Sequence, residues 1–382
     1  METLKLYLYF LIFLFGFIVL NMYVYFRIKK YFSVNNKYFK VIYIILGLMF
    51  PFSFLIAKFV EFKYSFYLLW TGNFWLGVLF LGLFLFIFAD LMFFVAQKTV
   101  KSEFSNKRRK FISDGFKLML LTSWLTEVGM GLKNYYNDPI IKKIDIKIKN
   151  LPDSFKGFKI AQISDIHIGQ LATKKTLETI VKQVNSLNPD IVAITGDLAD
   201  GSTGFLFDEI KPLENLKSKY GVYFVTGNHE YYSGIGQWII ALRKLKNIKI
   251  LNNESIKLEI NKEKIYLIGV NDREGIKYAK CFVQDFEKAF SKVPEESVKI
   301  LLNHQPADLE EAAAYNCDLV LSGHTHGGQI WPFGYIVEAQ QKYLKGHFKY
   351  KNTQLYVNQG TGCWGPPLRL QSRNEITLIT LI

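Results

Sequence analysis

Hydrophobic positions fall in long unbroken blocks over the first third of the chain and in short alternating pieces after it. The run over 6–26 carries no charge. At about 1.5 Å of rise per residue it is long enough to cross a hydrocarbon layer of about 30 Å. A cleavable signal peptide is the competing reading, but the run is too long and no small-residue cleavage site follows it. A second apolar run covers 41–57, and a third covers 66–95 with Asp90 as its only charge. Both read as membrane spans. The fourth candidate, 111–132, contains Asp114, Lys117 and Glu127, so two readings stay open: it crosses, or it lies in the interface. The expected organisation is an all-α transmembrane anchor over 1–133 with three or four helices, near 6–26, 38–57, 67–95 and 111–132.

From residue 134 the chain turns polar, with Pro139 and several lysines, and 134–150 reads as a linker. Beyond it, over 151–382, short β-branched runs alternate with helical periodicity. Strands are expected at 158–163, 191–195, 222–226, 265–269, 300–303, 319–322, 355–358 and 376–381. Helices are expected at 174–186, 208–219, 235–245 and 306–315. Strands alternating with helices predict an α/β fold in layers, with helices outside.

Charge changes the picture once it is located. The net charge is +14, but up to Asn137 sixteen Lys and Arg stand against six Asp and Glu, so that third carries +10 and the remainder only +4. The basic excess belongs to the membrane flanks, and nucleic acid is not an expected partner. The first connection holds Arg27, Lys29, Lys30, Lys37 and Lys40, the third holds Lys98, Lys101, Lys107, Arg108, Arg109 and Lys110, and the second only Lys58 and Lys63. By the positive-inside rule the odd loops face the cytoplasm. If the fourth segment crosses, the catalytic part is extracytoplasmic on a multi-pass membrane protein. The stretch Arg108-Arg109-Lys110-Phe111-Ile112 also reads as a twin-arginine export signal, or as a plain basic flank. Cys281, Cys317 and Cys363 stand in no paired spacing, which suggests neither a disulfide framework nor a thiolate metal site.

The histidines carry the chemistry. In layered α/β proteins functional groups collect just past the carboxyl ends of strands. His167 follows the first expected strand in Asp165-Ile166-His167, and Asp197 follows the second in Gly196-Asp197. Asn228 and His229 follow the third, His304 a later one, and His324 and His326 the next. Five of the six histidines therefore lie at expected strand ends, and only His347 does not. Imidazole nitrogen mixed with carboxylate and amide oxygen suits Mn, Fe or Zn, whereas an all-oxygen cage would suggest Mg or Ca. In an extended Asp-X-His or His-X-His pair, alternate side chains point to one side. The inventory exceeds the three protein ligands that a catalytic zinc usually takes, and two metals fit the count.

Asp165-X-His167, Gly196-Asp197-X-X-Asp200, Gly227-Asn228-His229-Glu230, Asn303-His304 and Gly323-His324-X-His326 together resemble the calcineurin-like metallophosphoesterase motifs. Ser322 to Gln329 and the tail Leu355-Tyr-Val-Asn-Gln-Gly resemble its membrane-associated bacterial subgroup. The resemblance covers about 159 to the C-terminus, and five motifs in order are far more specific than any one. It implies a calcineurin-like layered sandwich of mixed β-sheets flanked by helices. It also implies one divalent metal on Asp165, His167 and His326, a second on Asn228, His304 and His324, and Asp197 as the bridge. His229 is implied to be a non-ligand facing the scissile phosphate, oriented by Asp200; a plain turn residue before Gly201 is the competing reading of Asp200. The implied reaction is hydrolysis of a phosphomonoester, phosphodiester or pyrophosphate by a metal-bridging hydroxide.

The expected partners are a phosphorylated small-molecule or lipid substrate and the bilayer, with no protein partner predicted. The alternative is a noncatalytic membrane receptor or scaffold built on the same domain, although degeneration would normally remove ligands and none is missing. Gly360-X-Gly362-X-X-Gly365 matches a dinucleotide fingerprint literally, but Pro366 and Pro367 stand where a helix should open, so it reads as a loop.

Overall fold

A computed structural model describes residues 2–57, 62–99, 106–169, 171–278 and 280–382. Two compact units result: Met1–Lys133 with Pro366–Leu368, and Asn134–Gly365 with Arg369–Ile382.

The first unit is built from α1 (Glu2–Phe32), α2 (Lys37–Ala57), α3 (Phe62–Thr99) and α4 (Asn106–Tyr136). Among the described residues two stretches, Leu11–Phe32 and Phe66–Val95, are long and apolar enough to cross a membrane, with mean hydropathies of 2.0 and 2.7. The expected three or four spans are thus narrowed to two by this measure, although all four helices form. In α4 the charges of Arg108, Lys110, Asp114, Lys117 and Glu127 dilute the apolar surface. Large apolar side chains such as Phe15, Ile42, Phe88 and Leu91 point outward, as side chains bathed in lipid do. Asp90 of α3 is not a lone charge. It lies 2.6 Å from Arg27 Nε and 3.3 Å from Lys30 Nζ, and accepts from the Tyr31 hydroxyl at 2.8 Å. Its cost in an apolar setting is offset by the basic end of α1.

The second unit holds two six-stranded sheets. Its strands are β1 (Ile140–Ile146), β2 (Lys159–Ile163), β3 (Ile191–Thr195), β4 (Val222–Val225), β5 (Ile248–Ile250), β6 (Glu254–Ile260), β7 (Glu263–Gly269), β8 (Val298–Leu302), β9 (Leu319–Ser322), β10 (Gly346–Tyr350), β11 (Thr353–Val357) and β12 (Glu375–Leu381). One sheet has the order β1-β12-β2-β3-β4-β5 and the other β10-β11-β9-β8-β7-β6. The runs β2-β3-β4 and β7-β8-β9 are parallel within their sheets, whereas β12 is antiparallel to β2 and β10 to β11.

The pleat explains the layering. Ile300 and Leu302 point into a core shared with Ile191, Ala193, Tyr223 and Val225 of the opposite sheet. Leu301, between them, points the other way onto Phe286, Phe290, Leu309 and Ala312. Burial on both faces is why β3 over Ile191–Ile194 and β8 over Ile300–Leu302 read as apolar runs rather than as alternation. The helix α5 (Lys174–Ser186) buries Leu177, Ile180, Val181 and Val184, the spacing of one helical stripe.

All eight expected strands form. The four that were not expected, β1, β5, β6 and β10, are the four edge strands of the two sheets. The 134–150 segment, expected to be a linker, contains β1, which pairs along its length with β12. An edge strand needs apolar contact on little of its surface, so the lysines of Ile140–Ile146 are tolerated there. The helix expected over 208–219 is also corrected. It begins earlier, as α6 (Thr203–Ile210), and tightens into a 3₁₀ turn over Lys211–Asn215, where Pro212 lacks the N–H of a continuing helix.

Candidate metal centre

Parallel order within each sheet sends the loops after β2, β3 and β4 and those after β8 and β9 to strand ends of the same sense. Asp165 and His167 follow β2, Asp197 and Asp200 follow β3, and Asn228 and His229 open the short helix α7 (Asn228–Tyr232) after β4. His304 follows β8, and His324 and His326 follow β9. All nine lie in one place. His347 is elsewhere, on β10, where its Nε2 meets Gln354 Oε1 at 3.0 Å.

The loops are laced together by backbone bonds. The N–H of Asp165 donates to Gly196 O at 3.0 Å and that of His167 to Asp197 O at 3.2 Å. Holding these turns requires unusual backbone: φ is +53° at Asp165, +55° at His167, +52° at Asp197, +71° at His324 and +50° at His326. For residues other than glycine such values cost about 1–3 kcal/mol each and persist where the surroundings over-determine them, as at functional sites.

Among the described residues three overlapping donor groups form, linked through His167 and Asp197. Asp165, His167 and His326 bring ligand atoms within 4.8 Å of one another, as do Asp197, His304 and His324. Asp197 also falls within the same distance of His167 and His229, which places it between the two groups. Asn228 joins the second group, its Oδ1 lying 3.2 Å from His304 Nε2.

Hydrogen bonds assign the tautomers. His167 Nδ1–H donates to Asp200 Oδ2 at 2.9 Å, which leaves its Nε2 lone pair facing His326 Nε2 at 3.0 Å. His304 Nδ1–H donates to the carbonyl of Thr195 at 2.7 Å, so its Nε2 meets Asp197 Oδ2 at 3.1 Å and His324 Nδ1 at 3.2 Å. Lone pairs therefore converge on lone pairs at both places. An imidazole fixed through its other nitrogen to a carboxylate or carbonyl is the usual arrangement around a divalent cation. Buried nitrogen and oxygen donors of this kind fit divalent cations.

The electrostatics agree at His324 and His326, whereas at His304 burial disfavours the charge but Asp197 and Asp165 prevail and hold the imidazole well above its ordinary value. Burial pushes the His324 imidazole down to about 3, aided by neighbouring His304, so a proton is disfavoured where a lone pair is needed. His326 is held well below its ordinary value, by burial first and then by His167 and Arg369. Burial works against ionisation of Asp197, but His304 and His229 outweigh it and hold the carboxyl well below its usual range. His229 behaves oppositely to His324. Burial disfavours its charge, yet Asp200 and Asp197 prevail and push it up to about 10.

His229 stands apart in geometry too. Its Nδ1 contacts Asp200 Oδ1, its Nε2 is 4.0 Å from Asp197 Oδ2, and its side chain is 14% exposed where His167 and His304 are at 0%. It looks out from the floor of the site. Asp200 thus serves two imidazoles, which sets aside its reading as a plain turn residue.

Several supporting contacts were not assigned from the sequence. Glu230 accepts backbone N–H bonds from Asp197, Leu198 and Gly227 at 3.0, 2.8 and 2.7 Å, which ties the β3 and β4 loops together. Its place three residues after Gly227 is a helix-start position, and that was the one available hint. Asp165 accepts from the N–H of His324 at 3.0 Å with both oxygens. Gly323 permits this, because a Cβ there would lie 2.2 Å from Asp165 Oδ2. Arg369, fully buried, donates to the carbonyls of His326, Gln359 and Gly362. The stretch Gly360 to Gly365 is a loop, as the prolines implied, and a Cβ on Gly362 would lie 2.1 Å from the carbonyl of Ile166.

Comparison with known proteins places this geometry. Residues 158–328 match the family model described as calcineurin-like phosphoesterase. An uncharacterised metallophosphoesterase of Helicobacter pylori is 38% identical over 284 residues, 74% of each chain. One from Campylobacter jejuni is 36% identical over 267 residues, 70% of this chain and 69% of that one. A Bos taurus protein described as a transmembrane protein with a metallophosphoesterase domain is 35% identical over 287 residues, covering 72% of this chain and 64% of its own length. With the layered mixed sheets and the apolar helices ahead of them, these similarities show a membrane-associated chain that belongs to the calcineurin-like metallophosphoesterases.

Proposed function

We propose that the protein is a membrane-anchored phosphoesterase that uses two divalent cations to hydrolyse a phosphomonoester, phosphodiester or pyrophosphate, with a lipid or other cell-envelope compound as the substrate class. The observation that carries this reading is the set of overlapping donor groups linked through His167 and Asp197, with a histidine that belongs to neither hydrogen-bonded lone-pair set. Asp165, His167 and His326 would hold one cation, Asn228, His304 and His324 the other, and Asp197 both. When bound, such a pair supplies Lewis-acid charge for the phosphoryl oxygens and lowers the pKa of an attacking water.

The remaining work falls to the chain itself. Asp200 fixes His229 through Nδ1, so Nε2 is the nitrogen presented to the phosphoryl group. A proton at Nε2 can stabilise charge on that group or pass to the leaving oxygen. The Asp200 carboxylate keeps that imidazolium charged and aimed. Strand-end loops braced by Glu230 and Arg369 hold the donors in place, which is the preorganisation that electrostatic catalysis requires.

The test is turnover of bis(p-nitrophenyl) phosphate by the detergent-solubilised full chain with added Mn. Asp197→Ala and His324→Ala should each abolish it and lower bound metal in elemental analysis. Unchanged turnover in both variants would overturn the assignment. The loop charges support an extracytoplasmic catalytic unit. An alkaline phosphatase reporter on the C-terminus is expected to be active, and a silent reporter would reverse the orientation.

A further inference from the structure

The floor of the metal centre is polar, but the side chains next to His229 are not. The His229 ring meets the ring of Tyr232 edge-on at 5.2 Å between centroids and that of Trp364 at 5.7 Å. Tyr232 in turn packs on Tyr278 at 5.4 Å. None of these rings is buried: Trp364 is 44% exposed, Tyr232 50% and Tyr278 53%, and Ile276, on the same short helix as Tyr278, is 71% exposed. Trp364, Tyr232 and Tyr278 form a run of ring contacts that begins at the histidine presented to the phosphoryl group and leads outward.

Exposed aromatic and aliphatic side chains scattered singly need no explanation, whereas a contiguous patch against a site does. This one is held in place. The side-chain amide of Gln329 grips the backbone of Trp364 on both sides, its Nε2 donating to Trp364 O at 2.6 Å and its Oε1 accepting from Trp364 N at 3.2 Å. Tyr232 is the last residue of the helix that opens with Asn228 and His229, so its position is tied to theirs. Fixing large apolar side chains in water beside a polar centre costs free energy that contact with an apolar ligand returns.

We infer that Trp364, Tyr232 and Tyr278 form a subsite for the hydrocarbon portion of an amphiphilic phosphate ester, so that the substrate is a phosphate-bearing lipid. The inference rests on the proposed phosphoesterase reading, because the phosphate is what anchors the ligand at His229. A hydrocarbon fits better than a nucleobase. The only side-chain hydrogen-bonding groups of these three residues are two tyrosine hydroxyls and one indole N–H, too few and too unspecific to read a base edge. The chain also carries helices apolar enough to reside in a bilayer, where amphiphiles are concentrated.

The experiment compares kcat/KM of the full chain for three diesters that share one leaving group: p-nitrophenyl methyl phosphate, p-nitrophenyl octyl phosphate and thymidine p-nitrophenyl phosphate, all below micelle-forming concentration. The wild type is expected to prefer the octyl over the methyl ester by on the order of 30-fold, from partial burial of the added methylenes. Trp364→Ala and Tyr232→Ala should each cut that ratio at least fivefold, and Trp364→Phe should keep most of it. A ratio near one in the wild type, or preference for the thymidine ester, would overturn the lipid subsite while leaving the phosphoesterase reading standing. Equal losses on both alkyl esters in the alanine variants would likewise overturn it, since they would mean that the rings only support His229. Failure of the wild type to turn over any of the three would overturn both.

Discussion

Asp200 and His229 are joined carboxylate to imidazole, Oδ1 against Nδ1, while the other oxygen of Asp200 accepts from His167 Nδ1 at 2.9 Å. One side chain therefore orients both a residue placed to hold metal and a residue placed to meet substrate. His229→Ala should leave metal content intact and lower turnover by about 10²–10⁴-fold, the range for loss of a positioned acid or base. Asp200→Ala should lower turnover and also weaken metal binding by about 10–100-fold, because His167 loses its orienting partner. Elemental analysis alongside kinetics separates the two; loss of metal in His229→Ala would contradict its placement.

Glu230 is the knot between the β3 and β4 loops, satisfying three buried N–H groups with one carboxyl. Removing it leaves those donors without partners, at roughly 1–3 kcal/mol for each buried group left unsatisfied. Glu230→Ala should therefore lower the thermal unfolding midpoint and reduce metal retention together, as read by scanning calorimetry and metal analysis of the purified chain.

Gly323 tests how tightly the first donor cluster is packed. A Cβ at this position would lie 2.0 Å from Ser164 Oγ and 2.2 Å from Asp165 Oδ2, contacts that force Asp165 to move. The φ of Gly323 is not in the left-handed region, so the obstacle is steric. Gly323→Ala should weaken metal affinity at least about tenfold with the fold retained. Metal titration followed by circular dichroism of the same sample checks both halves.

Arg369 sits beneath His326 with its guanidinium donors turned to backbone carbonyls of three loop residues. Arg369→Met fills much of the same volume but leaves those acceptors dry, with an expected destabilisation on the order of 3 kcal/mol. Denaturant titration would show it as a shifted midpoint. An unshifted midpoint would mean that water replaces the guanidinium.

The eight interior strands were legible because burial on both faces favours short apolar runs, as at Ile191–Ile194 and Ile300–Leu302. The edge strands were not, since β1 carries Lys142, Lys143 and Asp145 on a surface that packs little. The nine clustered side chains were legible as candidates for a different reason: they follow expected strands and stand in the order of the family's motifs.

Local chemistry alone determined that the first third of the chain is apolar helix, that the remainder alternates strand and helix, and which side chains offer nitrogen and oxygen donors. Those properties follow from composition and period, which each segment carries within itself. Tertiary structure decided that Asp197 lies between two donor groups, that Asp200 holds two imidazoles, that Glu230 and Arg369 brace the loops, and that a run of ring contacts starts at His229. Each of these is a meeting of residues tens to hundreds of positions apart, and no periodicity along a chain records the distance between points that only sheet order and loop closure bring together.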